Sequence, residues 1–335
     1  MKNTKWLICL LISFLILFGG ITNAQEYSIT WHTGAVGGLY MEPAVIWAEQ
    51  LQKALPNLTI SVILGSIIGN PIEVSEADPN TAIGIDHNLG LRQVISGEGQ
   101  YKDKELTNLR ALWRFNVPSY THILARPGVI PEGIKTFGEF IKTKPAFRLA
   151  VKVRGSGGED FTRRLLEYYG VTYDDIAKWG GSVSFNNPND IAALMIDGHA
   201  DISTEHCRVP AAAILDMDAS IKGLTWVPIE EDALNYLVEK YGYGYGIHPT
   251  EYYTSMKGLE EPYISGLQDH IVFMREESDE ELVYNIVKTI MLEPEMIKNA
   301  IPAFESFDPS VAGKETTIPL HEGAKRAYKE LGLIE

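Results

Sequence analysis

Apolar positions fall in short runs of two different periods along this chain. Ile29-Thr-Trp-His32 and Leu58 to Leu64 read as strands. Between them, Pro43 to Leu55 carries Val45, Ile46, Ala48, Leu51 and Leu55 at roughly helical spacing. A further helix follows Gly69-Asn70-Pro71, and Thr81 to Ile85 reads as a short buried strand ending at Asp86-His87. The order β-α-β-α-β implies a parallel sheet whose loops collect at the carboxyl ends of the strands. Leu109 to Phe115 and Ser119 to Ala125 continue as two strands. Arg126 to Gly133, with two prolines and two glycines, then breaks the pattern and marks a crossover.

The same grammar restarts beyond that break. Phe147 to Val153 is a strand, Gly155 to Asp160 a turn and Phe161 to Tyr169 a helix. Strands are predicted over Val183 to Phe185, Ala200 to Ser203, Leu224 to Ile229 and Ile271 to Met274. Helices are predicted over Asp190 to Ile196, from Pro210, over Glu231 to Lys240, and as amphipathic segments over Glu280 to Met291 and Glu322 to Leu331. One unit of strand, glycine turn and helix is therefore used in each half.

The two turns carry the first candidate chemistry. The earlier one holds Gly34, Gly37 and Gly38; the later one holds Gly155, Gly157 and Gly158. Glycine lets a backbone approach a ligand closely, and the free N–H groups at a helix start attract an anion. Two such turns facing each other suit a small carboxylate. Ser156 and Glu159 have the spacing of a capping box, so Ser156 reads either as a cap or as a ligand contact. The spacing is not that of a dinucleotide fingerprint.

Composition narrows the class. Lys2, Lys5 and the apolar run Trp6 to Phe18 read as a leader, with cleavage expected at Ala24–Gln25. The remainder, about 310 residues, is enough for two domains. A formal net charge of −15 argues against nucleic acid as a partner. Only Cys207 remains after cleavage, so no internal disulfide is expected. The histidines form no zinc-protease motif, no calcium loop is complete and no nucleophile elbow occurs; no cofactor or metal is expected.

His32-Thr-Gly-Ala-Val-Gly-Gly-Leu-Tyr40, Gly65-Ser66, Gly155-Ser-Gly-Gly-Glu159 and Ile318-Pro-Leu-His-Glu-Gly-Ala324 together resemble the TAXI family, the extracytoplasmic solute receptors of TRAP transporters. The resemblance implies an α/β fold like the type II periplasmic binding proteins, with two lobes closing on an amino acid or organic acid. It implies contacts from Thr33, Gly34, Gly38 and Tyr40, from Gly65 and Ser66, and from Gly155, Ser156 and Gly157. The chain departs from the family at Met41 and Glu42, at the strand end Asp86-His87, and at Cys207-Arg208. Glu205, His206 and Arg208 are thus expected to make the cleft more charged, and Asp86, Glu205 and Arg208 are candidate contacts. Arg208 reads either as a bidentate clamp on a carboxylate or as a local partner of Glu205.

The expected organisation is a leader over 1–24, one lobe from 25–122 plus about 235–335, and a second from 123–234, with hinges near Ser119 to Arg126 and Leu224 to Ile229. The expected partners are a small solute and the membrane subunits of a TRAP transporter, outside the cytoplasm. Two other readings fit the same cleft: an enzyme using Glu205 and His206 as acid and base, and a ligand sensor for a membrane signalling protein.

Overall fold

The computed structural model describes residues 25–98, 101–102, 104–259 and 264–335, so the expected leader lies outside the described residues. The described residues form ten strands in one sheet: β1 (Tyr27–His32), β2 (Leu58–Ile63), β3 (Ala82–His87), β4 (Leu109–Ala125), β5 (Arg148–Lys152), β6 (Ser182–Asn186), β7 (Ile202–Cys207), β8 (Thr225–Trp226), β9 (Gly244–Ile247) and β10 (Ile264–Arg275). Their order is β2-β1-β3-β10-β4-β7-β5-β6, with β8 on β4 and β9 on β10.

Each half of this path has the same plan. In the first lobe β1 pairs in parallel with β2 and β3, β10 runs antiparallel to β3, and β4 antiparallel to β10. In the second, β5 pairs in parallel with β6 and β7, β4 runs antiparallel to β7, and β8 antiparallel to β4. The α/β class and the reuse of one unit are as the sequence predicts.

β4 serves both lobes. Its residues Leu109 to Ser119 pair with β10, and Tyr120 to Ala125 pair with β7. The sequence suggested two strands separated at Asn116-Val117-Pro118. The strand instead continues through a bulge: Phe115 and Ser119 face His270 and Gln268, leaving extra residues on β4 between them. Pro118 sits in that bulge, where its missing N–H breaks no ladder bond.

Three other strand limits need correction. β7 runs on through Thr204-Glu205-His206 to Cys207, and β10 starts at Ile264 rather than Ile271, whereas β8 keeps only two of the six residues expected over 224–229. A helix over Asn88–Ser96, absent from the pattern reading, starts because the His87 side chain accepts from the N–H of Gly90.

The first lobe's core is aromatic. Trp31, Trp47, Trp113, Phe115, Phe304 and Phe307 are buried together, and the helices Glu280–Leu292 and Glu322–Glu330 pack on the same cluster. The second lobe has an apolar cluster on each face of β5 and β7, one around Phe161 and Leu165, the other around Met195 and Met217. Among the described residues no helix is long and apolar enough to cross a membrane.

Candidate functional site

Three turns at the carboxyl ends of parallel strands build the site. The turn after β1 reverses at Gly37, whose φ of 75° is one an L side chain resists. It leads into the helix Met41–Ala54, whose first turn has no side-chain cap. Its last residue, Tyr40, is buried and places its hydroxyl 3.0 Å from Nδ1 of His270. The turn after β2 is held by Asn70, which accepts from the N–H of Ser66 (3.0 Å) and donates to the carbonyls of Thr33 and Ile85, both at 2.8 Å. One buried amide thus ties the ends of β1, β2 and β3 together.

The turn after β5 passes through Gly155, at φ 76°, into the helix Gly157–Tyr168. Ser156 caps that helix by accepting from the N–H of Glu159 at 3.3 Å. Glu159 accepts instead from Gly155 (3.5 Å), so one arm of the expected capping box forms as predicted. The N–H groups of Gly157 and Gly158 make no hydrogen bond among the described residues, and both glycines line the cavity.

Between these turns lies a cavity of about 80 Å³ with walls from both lobes. Gly34, Gly38, Tyr40, Gly65 and Ser66 line it from the first lobe, and Gly155, Ser156 and Gly157 from the second. Four other residues singled out in the sequence stand elsewhere. Thr33 is buried behind the wall and donates to the Ile63 carbonyl at 2.7 Å. Asp86 is buried against its own strand end, accepting from the N–H of His87 at 2.6 Å. Glu205 lies behind β7, 3.6 Å from Nζ of Lys152. Arg208 sits at the rim, where its guanidinium pairs with Glu42 of the other lobe and reaches the Gly38 carbonyl at 3.4 Å.

The cavity is also lined by Ser119, Lys152, Gln268 and His270, which sequence reading passed over as contacts, and by Arg154, the first residue of the loop that the resemblance matches over Arg154 to Glu159. His206 joins them, its Nε2 donating to the Ser119 carbonyl at 2.8 Å. Nε2 of His270 lies 3.0 Å from the Ser119 hydroxyl, completing a chain from Tyr40 across the crossing strands. The Nε2 amide group of Gln268 is buried with no partner of its own. The signal for these residues was available as polar side chains inside strand-like runs, at positions where strands pass beneath a cleft.

Burial dominates the electrostatics. It pushes His206 down to about 3, with the Lys152 charge and His87 adding to the effect and the Ser119 bond opposing it. It likewise holds His87 at about 3, reinforced by Arg164, and His270 well below the usual imidazole range. These rings are neutral at pH 7. Burial raises the Asp86 carboxyl well above the usual carboxylate range, opposed by the His87 N–H and reinforced by Asp160. Burial also raises Glu205, but Lys152 opposes it. The Cys207 thiol is pushed up to about 12 by burial, so it is no thiolate. Among the described residues no group of His, Cys, Asp and Glu is arranged to hold a metal ion.

Two repeated half-sheets joined by the long strands β4 and β10, with a cavity at the carboxyl strand ends, define a two-lobe fold of the periplasmic-binding-protein class. The structure of the periplasmic binding protein BugD is similar at a TM-score of 0.55 and 14% identity, covering 92% of this chain and 99% of that chain. PhnD1 from Prochlorococcus marinus, solved with methylphosphonate, gives 0.52 and 11% over 92% of this chain and 99% of its own. MatC from Rhodopseudomonas palustris, with bound malate, gives 0.51 and 12% over 91% and 96%. At such identities the likeness is one of fold. The sequence itself matches the NMT1-like family over residues 32–332, and the chain belongs to that family.

Proposed function

We propose that this protein is an extracytoplasmic solute receptor that binds a small anion between its lobes and delivers it to the membrane subunits of a TRAP transporter, as a receptor of the TAXI type. The observation that carries the reading is the cavity itself. Both lobes wall it, the N–H groups of Gly157 and Gly158 border it, and Lys152 and Arg154 line it. By that measure one water needs roughly 10–15 Å³, so about 80 Å³ accommodates a solute of only a few carbons. The fold supports the same role: its structural relatives include proteins solved with malate, adipate and methylphosphonate, all small anions.

The first lobe begins with 25–122 and the second at 123, but the second runs past the expected limit of 234. Leu237 and Tyr243 pack with Phe161, and Tyr253 and Met256 with Met217. The chain thus returns to the first lobe along β10, and β4 and β10 are the strands that flex between the lobes. The leader over 1–24 directs export. No turnover is expected, because the acid and base that an enzyme would need are committed: His206 donates to Ser119 and Glu205 pairs with Lys152.

The test uses the chain from Gln25 onward. A carboxylate that binds only the folded state raises the melting temperature, since saturation at 100 times Kd adds about 2.7 kcal/mol. Mass spectrometry of gently purified protein identifies any solute carried along. Steady conversion of the bound acid would overturn the receptor role, and uptake driven by ATP rather than an ion gradient would overturn the transporter assignment.

A further inference from the structure

A solute cavity of this size admits two chemistries, an organic anion and an amino-acid zwitterion, and the side chains around it treat them differently. Among the described residues no aspartate or glutamate lines the cavity. The acids nearest to it are already engaged. Glu205 is buried 3.6 Å from Lys152, and Asp86 accepts from the His87 N–H. Glu159 lies 3.6 Å from Arg163 and 3.2 Å from the Tyr173 hydroxyl, and Asp160 lies 2.7 Å from Arg164. An ammonium group entering here meets no carboxylate, and it faces two cations.

Those cations differ. Lys152 is tied on both sides, to Glu205 and to the His206 carbonyl at 3.2 Å. Arg154 has no acidic partner among the described residues. Its guanidinium carbon lies over the Phe185 ring, 3.8 Å from the ring centre, and 5.7 Å from that of Tyr173. Stacking fixes the plane of the group and leaves its edge N–H donors free. A second donor, Nε2 of Gln268, is also unpartnered; this residue is 2% exposed and lines the same cavity. Nδ1 of His206, left without a partner among the described residues, adds one neutral acceptor to the lining, but no free group there carries a negative charge.

We propose that the solute is an organic acid without an ammonium group, and that Arg154, stacked on Phe185, is its counter-charge. The proposal rests on the cavity being the solute site. It places the specificity of the receptor in a residue one position ahead of the glycine turn, on an aromatic shelf that lysine cannot use in the same way.

The experiment pairs acids that differ only in hydroxyl against ammonium: L-malate with L-aspartate, 2-hydroxyglutarate with L-glutamate, and L-lactate with L-alanine. Affinities are measured by calorimetry on the chain from Gln25 onward. At least one hydroxy acid is expected to bind, with its amino twin at least about tenfold weaker, a difference of 1.4 kcal/mol. Arg154→Gln should weaken that acid at least about tenfold and Arg154→Lys nearly as much, because lysine keeps the charge and loses the fork. Arg154 is exposed, so both variants should melt like wild type. An amino twin that binds as well as its acid overturns the proposal and leaves the receptor role standing. Tight binding of the acid by Arg154→Gln overturns the role of Arg154. If no acid or amino acid binds and none is carried through purification, the solute-site reading fails and the proposal with it.

Discussion

The third strand of each lobe closes on an acid followed by histidine, Asp86-His87 on β3 and Glu205-His206 on β7, and all four side chains are buried. The two lobes put this shared ending to different use. In the first, Asp86 has no cation beside it, and His87 is spent on capping a helix. In the second, Lys152 stands against Glu205 and donates to the His206 carbonyl, which frees His206 to sit on the cavity wall. The glycine turns differ in the same sense. The first contributes Tyr40 and bare backbone; the second contributes a capped helix start and Arg154. Repetition of the fold has carried the shape across but not the charge. Both cations that line the cavity, Lys152 and Arg154, come from the second lobe.

The sharpest way to break this comparison is to fill one turn in each lobe. A Cβ on Gly157 would stand 3.4 Å from Cδ2 of His87 and 3.6 Å from Oε1 of Gln268, ordinary contacts that take up cavity space. A Cβ on Gly65 would stand 2.1 Å from Oδ1 of Asn70 and 2.8 Å from the Thr33 carbonyl. Gly157→Val should therefore fold and lose about 100-fold or more in affinity, above 2.7 kcal/mol, whereas Gly65→Ala should lower the melting temperature. Calorimetry decides the first: binding within about threefold of wild type, or 0.7 kcal/mol, means the second turn does not touch the solute.

Acid is the next largest lever, and it acts on both lobes. His87 and His206 are held at about 3 in the fold, against about 6.5 when unfolded. Because their folded values are depressed, they contribute stability that is complete above pH 6.5 and is lost as pH falls from there towards 3. Each lost group costs up to about 1.4 kcal/mol per pH unit in that window. Melting curves should drop below pH 6.5, and His87→Asn and His206→Asn should each flatten the drop in part. A variant whose curve parallels wild type marks a histidine that is not neutral in the fold.

A smaller effect is expected at the first lobe's wall. Tyr40→Phe removes the hydroxyl that meets Nδ1 of His270, leaving a buried ring nitrogen unpaired. The expected loss is about 1–3 kcal/mol, read by urea denaturation. No measurable loss would mean that the chain Tyr40–His270–Ser119 does not stiffen the crossing strands.

The smallest effect should come from the rim. Arg208 and Glu42 join the lobes across the cleft, and Glu42 is half exposed. Such a pair is worth about 0–1 kcal/mol. Arg208→Ala, Glu42→Ala and the double variant should weaken binding alike, by no more than about fivefold, through closure rather than contact. Arg208→Ala weaker than that, with Glu42→Ala unchanged, would restore Arg208 as a clamp on the solute.

What the sequence alone determined is the part governed by local backbone chemistry. The strand–turn–helix order, the repeated unit and the positions of the glycine turns follow from residues close together in the chain, as does the Ser156 cap, although the helix it caps starts at Gly157, four residues before the expected Phe161. What only the tertiary structure decided is concentrated under the cleft. There β4, β7 and β10 carry buried polar residues, Ser119, Thr204 to His206, Gln268 and His270, which interrupt the apolar pattern by which a strand is recognised. Whether such a side chain is buried and satisfied depends on a partner far away in sequence. Tyr40 meets His270 across 230 residues, and His270 meets Ser119 across 151. The same holds for the two arginines. Arg154 and Arg208 each follow a strand and look alike in the chain, but Arg208 finds a carboxylate across the rim in Glu42, while Arg154 finds the faces of Phe185 and Tyr173 and is left with its charge turned to the cavity.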